Sequence, residues 1–311
     1  MTTAEQILDG KPATVGEMFT WRVGKTPDKE AFRYLDAGEN WVSISWRDTQ
    51  RRVERLAAGL LATGLGYEER VAIASGTRIE WVLVDFAINL VGGATTTIYP
   101  NTASEDFQHI LRDSGSVVLI AENADQAAKV IADDLLKQVH HIVLFDGEGD
   151  GERVLSWKEF EKRGEALLAE NPEAVREAGA KVTGETLSTL IYTSGTTGLP
   201  KGVELIHRSW IYEGFAVGEL GILTHDHVQY LWLPLSHVFG KALLACQLAI
   251  GFSSAVDGRI DKIVANLGDV KPEFMCGAPR IFEKVRSAVL LPSPSGGIKG
   301  TTARWAFAAG P

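Results

Sequence analysis

Short apolar runs recur along the first half of the chain, and segments with helical periodicity separate them. Four of these runs lie about 23 residues apart and predict strands, because that spacing fits a strand, a helix and two turns: Val71–Ala74, Ala94–Ile98, Val117–Ile120 and Ile142–Phe145. The intervening segments Glu80–Val91 and Ser104–Asp113 predict helices. Apolar strands that alternate with helices predict a mostly parallel sheet covered on both faces.

The same pattern predicts further elements on either side of this region. A hairpin (Ala31–Leu35 with Trp41–Ile44) and a long helix from Trp46 to Thr63 precede it. Residues 146–185 are richer in charge and glycine, and they predict a soft subdomain boundary. Beyond them we predict strands at Thr186–Tyr192, Gly202–His207, Gln229–Leu233, Ser253–Val256 and Glu273–Cys276, and helices at Arg208–Leu220, Lys241–Ile250, Ile260–Leu267 and Arg280–Leu290.

Composition and charge narrow the class of protein. The chain has 311 residues, 45% of them hydrophobic and 23% charged, which is typical of a globular protein. A net charge of −9 argues against binding along a nucleic-acid backbone. Met1–Gly10 lacks the apolar stretch of a signal peptide, and the two cysteines, Cys246 and Cys276, form no disulfide or zinc pattern. We therefore predict a cytoplasmic protein.

One ten-residue segment combines the side chains that bind phosphate. Glycines allow backbone N–H groups to approach phosphate oxygens, hydroxyls donate further hydrogen bonds, and a lysine supplies positive charge. The segment contains all three kinds: Thr193, Ser194, Gly195, Thr196, Thr197, Gly198, Lys201 and Gly202. It differs from a Walker A loop, because glycine follows the lysine and a strand follows the loop. A simple turn between two strands is the alternative interpretation.

The full string Tyr192–Val203 resembles, residue for residue, the signature of the adenylate-forming (AMP-binding) superfamily. This superfamily includes acyl-CoA synthetases, nonribosomal peptide adenylation domains and luciferases. The resemblance implies that the loop holds the β- and γ-phosphates of ATP. It assigns these contacts to Thr193, Ser194, Gly195, Thr196, Thr197, Gly198 and Lys201, with Lys201 in a supporting rather than a complete catalytic role.

Other segments resemble the long-chain fatty acyl-CoA synthetase branch of this family. Leu233–Gly240 is similar to a second core motif, whose histidine, here His237, lies beside the acyl and adenylate pocket. Cys276–Val285 and Ile98–Asn101 are also similar to this branch. Some members carry a tryptophan gate just after the histidine, whereas this chain has Gly240-Lys241 there.

The resemblance implies an α/β fold of stacked, mostly parallel sheets flanked by helices, and a two-step reaction. A carboxylate, expected to be a long-chain fatty acid, attacks ATP to give acyl-AMP, and the thiol of CoA then takes the acyl group. ATP and CoA are the implied substrates and Mg²⁺ the implied cofactor. Motifs that complete the adenosine and Mg²⁺ sites in the family are absent from this sequence. We therefore expect residues 1–311 to be part of the large domain, without the C-terminal lid domain.

Several alternatives stay open at this stage. The chain could be a catalytically silent fragment that binds nucleotide weakly or pairs with a separately encoded C-terminal half, or an unrelated glycine-rich α/β binding module. Peripheral membrane contact is also open, because long-chain substrates reside in membranes. The sequence His225-Asp226-His227 fits a solvated turn better than a metal site, and no metal ligand is assigned. Uncovered apolar faces would make the isolated chain poorly soluble or oligomeric.

Overall fold

The structure, a computed structural model, describes residues 3–130, 133–193, 198–279 and 281–283. The strands in these ranges are β1 (Glu30–Leu35), β2 (Trp41–Ser45), β3 (Arg70–Ala74), β4 (Ala94–Ile98), β5 (Ser116–Ala121), β6 (His141–Leu144), β7 (Val154–Ser156), β8 (Leu187–Thr193), β9 (Lys201–Ile206), β10 (Val228–Leu231) and β11 (Ser253–Val256). The helices are α1 (Ala4–Leu8), α2 (Val15–Lys25), α3 (Trp46–Ala62), α4 (Ile79–Leu90), α5 (Ser104–Ser114), α6 (Ala124–Ala127), α7 (Asp133–Gln138), α8 (Trp157–Glu170), α9 (Ala174–Gly179), α10 (His207–Gly218), α11 (Val238–Ile250) and α12 (Ile263–Val270).

The larger sheet has seven strands in the order β7-β6-β5-β3-β4-β8-β9. Every neighbouring pair is parallel except β8 and β9, which form an antiparallel pair around the glycine-rich loop. The interior strand β4 is buried along its whole length, because helices cover both faces of the sheet. This arrangement confirms the predicted fold class.

The smaller sheet has four strands in the order β10-β11-β1-β2. The β1–β2 hairpin is antiparallel, as predicted, whereas β11 is parallel to both β1 and β10. Phe32 on β1 packs against Phe86 on α4, with ring centroids 6.3 Å apart, and Phe19 on α2 packs against Phe86 at 5.2 Å. One hydrophobic core therefore joins the two sheets through helices α2 and α4.

Several predicted elements differ from the structure, among them the starts of two helices and one strand. Helix α12 begins at Ile263 rather than at Ile260, because residues Ile260–Lys262 form a 3-10 helix. Helix α11 begins at Val238 rather than at Lys241, because the His237 ring caps it by accepting a hydrogen bond from the N–H of Phe239. The predicted strand Glu273–Cys276 is wrong: in this segment only Phe274 forms an isolated bridge, to Gln229. The chain leaves the sheet afterwards, where the carbonyl of Cys276 accepts a hydrogen bond from the indole of Trp232.

Two further predictions concern the middle and the end of the chain. Residues 146–185 contain β7, α8 and α9; β7 extends the larger sheet beside β6, and α8 packs against α3. The soft boundary in this segment stays a prediction. The predicted helix over residues 280–290 lies outside the described residues except for 281–283.

Candidate active site

A cavity of about 760 Å³ opens at the carboxyl ends of β4 and β8. These strands are parallel neighbours, so the residues that follow them meet at the same edge of the sheet. Crevices at such edges are the usual ligand sites of parallel α/β sheets. The cavity is lined by Thr97, Tyr99, Asn101, Thr102, Ala103, Asp106, Ile110, Ile191, Tyr192, Thr193, Pro200, Val203, Leu205, His237 and Val238.

Two residues predicted from separate motifs line this cavity together. Thr193 is the last residue of β8, and His237 caps α11, 44 positions further along the chain. Lys201 begins β9 directly opposite Thr193 in the antiparallel pair, so the loop leaves and re-enters the sheet beside the cavity. Gly198 has a φ of 98°, a left-handed conformation that favours glycine. The remaining predicted loop residues, Ser194, Gly195, Thr196 and Thr197, lie outside the described residues.

Helix α5 holds both flanks of the glycine-rich loop. The hydroxyl of Tyr192, immediately before Thr193, donates a hydrogen bond to Oδ2 of Asp113 at 2.7 Å. After the loop, Nε2 of His109 lies 2.9 Å from the carbonyl oxygen of Pro200. Burial and the neighbouring Asp113 raise the pKa of Tyr192, so its hydroxyl remains a donor at neutral pH. The ends of the loop are therefore fixed to the same helix.

The segment that carries His237 is fastened between the two sheets. Thr77 accepts a hydrogen bond from the N–H of Leu235 at 3.2 Å and donates one to the carbonyl of Leu233 at 2.7 Å. The hydroxyl of Thr97 donates to the carbonyl of Ser236 at 3.1 Å. These bonds join the motif to the end of β3 and to β4, and thereby set where His237 enters the cavity.

The hydrogen bond within the α11 cap determines which nitrogen of His237 can donate. Nδ1 accepts from the N–H of Phe239 at 3.2 Å. A neutral imidazole that accepts at one ring nitrogen carries its proton on the other, here Nε2. His237 can therefore offer an N–H donor to an anionic oxygen in the cavity.

A smaller groove of about 330 Å³ adjoins the cavity and shares Leu205 and Val238 with it. It lies between the first turns of α10 and α11. Its lining residues are Leu205, Ser209, Trp210, Glu213, Val238, Phe239 and Ala242. Trp210 is 4% exposed and forms the buried floor of this mainly apolar groove. The two cavities together can accommodate a molecule with a polar head and an apolar tail.

Sequence reasoning missed several residues of this site. His109 and Asp113 lie on a predicted helix, and nothing in the local pattern reveals that they contact the loop. Thr97 offers a weak signal, because three successive threonines interrupt an otherwise apolar buried strand. Polar residues on a strand that is buried on both faces need a specific polar partner, and that partner lies far away in sequence.

A family model described as "AMP-binding enzyme" matches residues 19–302. That match covers most of the chain, including both motifs that meet at the cavity. The chain belongs to the AMP-binding enzyme family. The resemblance drawn from Tyr192–Val203 is therefore confirmed.

Curated relatives of this AMP-binding family member include long-chain-fatty-acid–CoA ligases. FadD15 of Mycobacterium bovis is 31% identical over 291 residues, which are 88% of this chain and 46% of that protein. ACSBG2 of Xenopus laevis is 26% identical over 312 residues, covering 96% of this chain and 42% of that protein. The chain thus spans slightly less than half the length of these curated relatives.

Solved structures agree with the family assignment at the level of the fold. A long-chain-fatty-acid–CoA ligase from Archaeoglobus fulgidus superposes with a TM-score of 0.73 at 20% sequence identity, covering 90% of this chain and 54% of that one. Within the described residues, no helix of this AMP-binding enzyme is both long and apolar enough to cross a bilayer. No group of three His, Cys, Asp or Glu side chains among them is arranged to hold a metal ion.

Proposed function

We propose that this chain is the N-terminal part of the large domain of a fatty acid–CoA ligase, which activates a long-chain carboxylic acid with ATP and transfers the acyl group to CoA. The observation that carries the proposal is the shared cavity of Thr193 and His237, with the apolar groove over Trp210 adjoining it. The names of the relatives support the same class of substrate.

The proposed reaction consists of two successive nucleophilic substitutions. A carboxylate oxygen attacks the α-phosphorus of ATP, forming acyl-AMP and releasing pyrophosphate. The sulfur of CoA then attacks the acyl carbonyl, releasing AMP and a proton. Lys201 would neutralise charge on the leaving phosphates, and the loop hydroxyls would donate hydrogen bonds to their oxygens. The Nε2–H of His237 would orient an oxygen of the carboxylate or the adenylate.

The described residues of the cavity are better suited to a Mg²⁺ ion that arrives bound to the nucleotide than to one held by the protein alone. Mg²⁺ keeps several waters and binds mainly through substrate phosphates, with one or two side-chain ligands. Of the described residues around the loop, Thr193 offers a hydroxyl at the cavity wall. When bound, Mg²⁺ would neutralise phosphate charge.

Replacing Lys201 by alanine tests the nucleotide part of the proposal. Lys201→Ala should weaken ATP binding about tenfold, because the variant loses a charge-assisted contact to phosphate worth about 1.4 kcal/mol. Isothermal titration calorimetry with ATP measures the change. Lys158→Ala on the exposed face of α8 is the matched control and should bind ATP like the unmodified chain. Unchanged ATP affinity in Lys201→Ala would contradict a phosphate-binding role for the loop.

A catalytically silent fragment that requires a separate C-terminal half is the second candidate, favoured by the 46% coverage of FadD15. ATP–pyrophosphate exchange with dodecanoate separates the two candidates. Exchange by the chain alone supports an active ligase fragment. Exchange that requires a second chain, carrying the C-terminal portion of a relative, supports the silent fragment.

A further inference from the structure

A buried ion pair lies behind the wall of the candidate active site. Lys241 and Asp85 are only 4% and 2% exposed, and Nζ of Lys241 lies 2.6 Å from Oδ1 of Asp85. The pair joins α11 to α4 across 156 residues of sequence. Neither residue lines the cavity or the groove, so neither is expected to contact substrate.

The surroundings of the pair hold both groups in place. The hydroxyl of Thr95 donates to Oδ1 of Asp85 at 2.7 Å, and the amide of Asn89 donates to the backbone carbonyl of Asp85 at 2.8 Å. On the other side, Nζ of Lys241 lies 5.3 Å from the ring centroid of Trp210 and 6.0 Å from that of Trp81. The ammonium group is thus bound by one carboxylate and two aromatic rings.

Fold stability alone does not account for such a pair. Removing two charges from water costs about as much as their attraction returns, and apolar residues of similar volume are often as stabilising. Burial lowers the pKa of Lys241, which reflects this cost, while the Asp85 carboxylate opposes the change. Buried polar pairs can instead fix the register of one element against another.

Lys241 lies one helical turn after His237. The backbone N–H of Lys241 donates to the carbonyl of His237 at 3.2 Å, so a fixed Lys241 fixes the first turn of α11. The intervening Gly240 leaves no room for adjustment, because a Cβ there would lie 2.3 Å from the carbonyl oxygen of Pro234. The same lysine packs on Trp210, the floor of the groove.

We propose that the Asp85–Lys241 pair is a positioning device for acid recognition, which holds His237 over the cavity and Trp210 beneath the groove. The proposal rests on the proposed function in assigning the carboxylic acid to this cavity. It makes Lys241 and Asp85 positioning residues that act through the first turn of α11 and the indole of Trp210. On the proposed nucleotide side, Thr193 and Lys201 face each other at one end of the β8–β9 pair. Strand β8 meets the surroundings of the ion pair near its other end, where Ser188 donates to Asn89 and Trp210 donates to Thr189.

The test removes both charges together. In the double variant Asp85→Asn/Lys241→Met, the amide oxygen introduced on α4 can still accept from Thr95, and no unpaired charge stays buried. We expect a melting temperature close to that of the unmodified chain, an ATP dissociation constant changed less than about twofold, and a dodecanoate dissociation constant raised about tenfold. Lys241→Met alone is the contrasting variant and should unfold at a much lower temperature, because Asp85 is left buried without its partner.

An NMR signal from the His237 ring shows whether the position of this side chain changes, independently of any loss of dodecanoate affinity. Nitrogen-15 NMR of the ring should show Nδ1 as a hydrogen-bond acceptor and Nε2 as the protonated nitrogen in the unmodified chain. The loss of the signal in His237→Gln identifies it. In the double variant we expect averaged tautomers. An unchanged His237 signal together with unchanged dodecanoate affinity would overturn the positioning role.

Loss of dodecanoate binding and loss of folding have different consequences for the proposed function and for the positioning role. If no form of the chain binds dodecanoate, the proposed function is contradicted, and the NMR signal of His237 still decides the positioning role. If the double variant does not fold, Thr95→Val replaces it, because this change removes one donor to Asp85 and leaves both charges paired. That variant should raise the dodecanoate dissociation constant about threefold and shift the His237 signal, and no change in either would overturn the inference.

Discussion

His207, the first residue of α10, is fully buried and has its protonation state fixed by its surroundings. Its Nδ1 accepts a hydrogen bond from the N–H of Val15 at 3.1 Å, which a doubly protonated ring could not do. Burial, assisted by the positive charge of Lys241, lowers the pKa of His207 to about 4. The neutral ring therefore holds the start of α2 against α10.

This buried histidine predicts a loss of stability in acid. The pKa of His207 is about 4 when folded and about 6.5 when unfolded, so its contribution is complete above pH 6.5 and is lost as the pH falls from there toward 4. Lowering the pH from about 7.5 to about 4.5 should remove about 2–3 kcal/mol from the free energy of unfolding. Urea denaturation at both pH values measures the change.

His207→Asn should reduce this pH dependence, because an amide oxygen can accept from Val15 without titrating. The exposed His225→Asn is the control and should retain the full dependence. If both variants lost stability equally between the neutral and the acidic condition, His207 would not be the group responsible.

At the scale of elements, helices α3 and α8 approach so closely that their backbones touch. A Cβ on Gly164 of α8 would lie 2.0 Å from the carbonyl oxygen of Arg55 on α3. On the opposite side of the contact, a Cβ on Gly59 would lie 2.9 Å from the ring of Phe160. Glycine is needed at this crossing for space rather than for an unusual backbone angle.

Gly164→Ala should therefore separate the two helices and destabilise the protein. We expect a loss of about 1–3 kcal/mol in the free energy of unfolding, which is typical of overpacking. Gly24→Ala is the matched control, because Gly24 is also helical and a Cβ there meets no atom within 4 Å. That control should be neutral or slightly stabilising, by less than about 1 kcal/mol. Equal stability of the two variants in urea denaturation would refute close backbone packing of α3 on α8.

At the scale of the whole molecule, apolar side chains are exposed around the two adjoining cavities. Val203, Val238 and Phe239 are 45%, 45% and 43% exposed. Val238 lines both cavities, so these residues belong to one region of the surface. Apolar surface gathered in one place favours association with another protein surface.

The isolated chain should therefore associate in solution, and sedimentation velocity over a range of concentrations can measure this. The double variant Val203→Thr/Phe239→Ser should shift the population toward monomer. Val264→Thr on α12 replaces a residue that is 60% exposed but lines neither cavity, and it should have no effect. A concentration-independent monomer of the unmodified chain would contradict the prediction.

Elements that depend on residues close together in the sequence were predicted correctly, whereas a strand that depends on contacts between distant segments was not. Three predicted features depend on neighbouring residues, and all are present: the hairpin of β1 and β2, the four apolar strands, and the pair flanking the glycine-rich loop. The predicted strand at Glu273–Cys276 failed because pairing with β10 depends on where the chain turns in space. Helix α2 was not predicted, although its start carries the helix-capping pattern Thr14-x-x-Glu17.

The sequence by itself determined the hairpin, the four apolar strands of the larger sheet and the family, because each is encoded in consecutive residues. Tertiary structure alone decided the order of strands in the two sheets and the meeting of Thr193 with His237 in one cavity. It also decided the pairing of Asp85 with Lys241. The physical reason is that periodicity and hydrogen-bonding chemistry act over a few residues, whereas contacts between distant segments depend on how the sheets stack and which strands become neighbours.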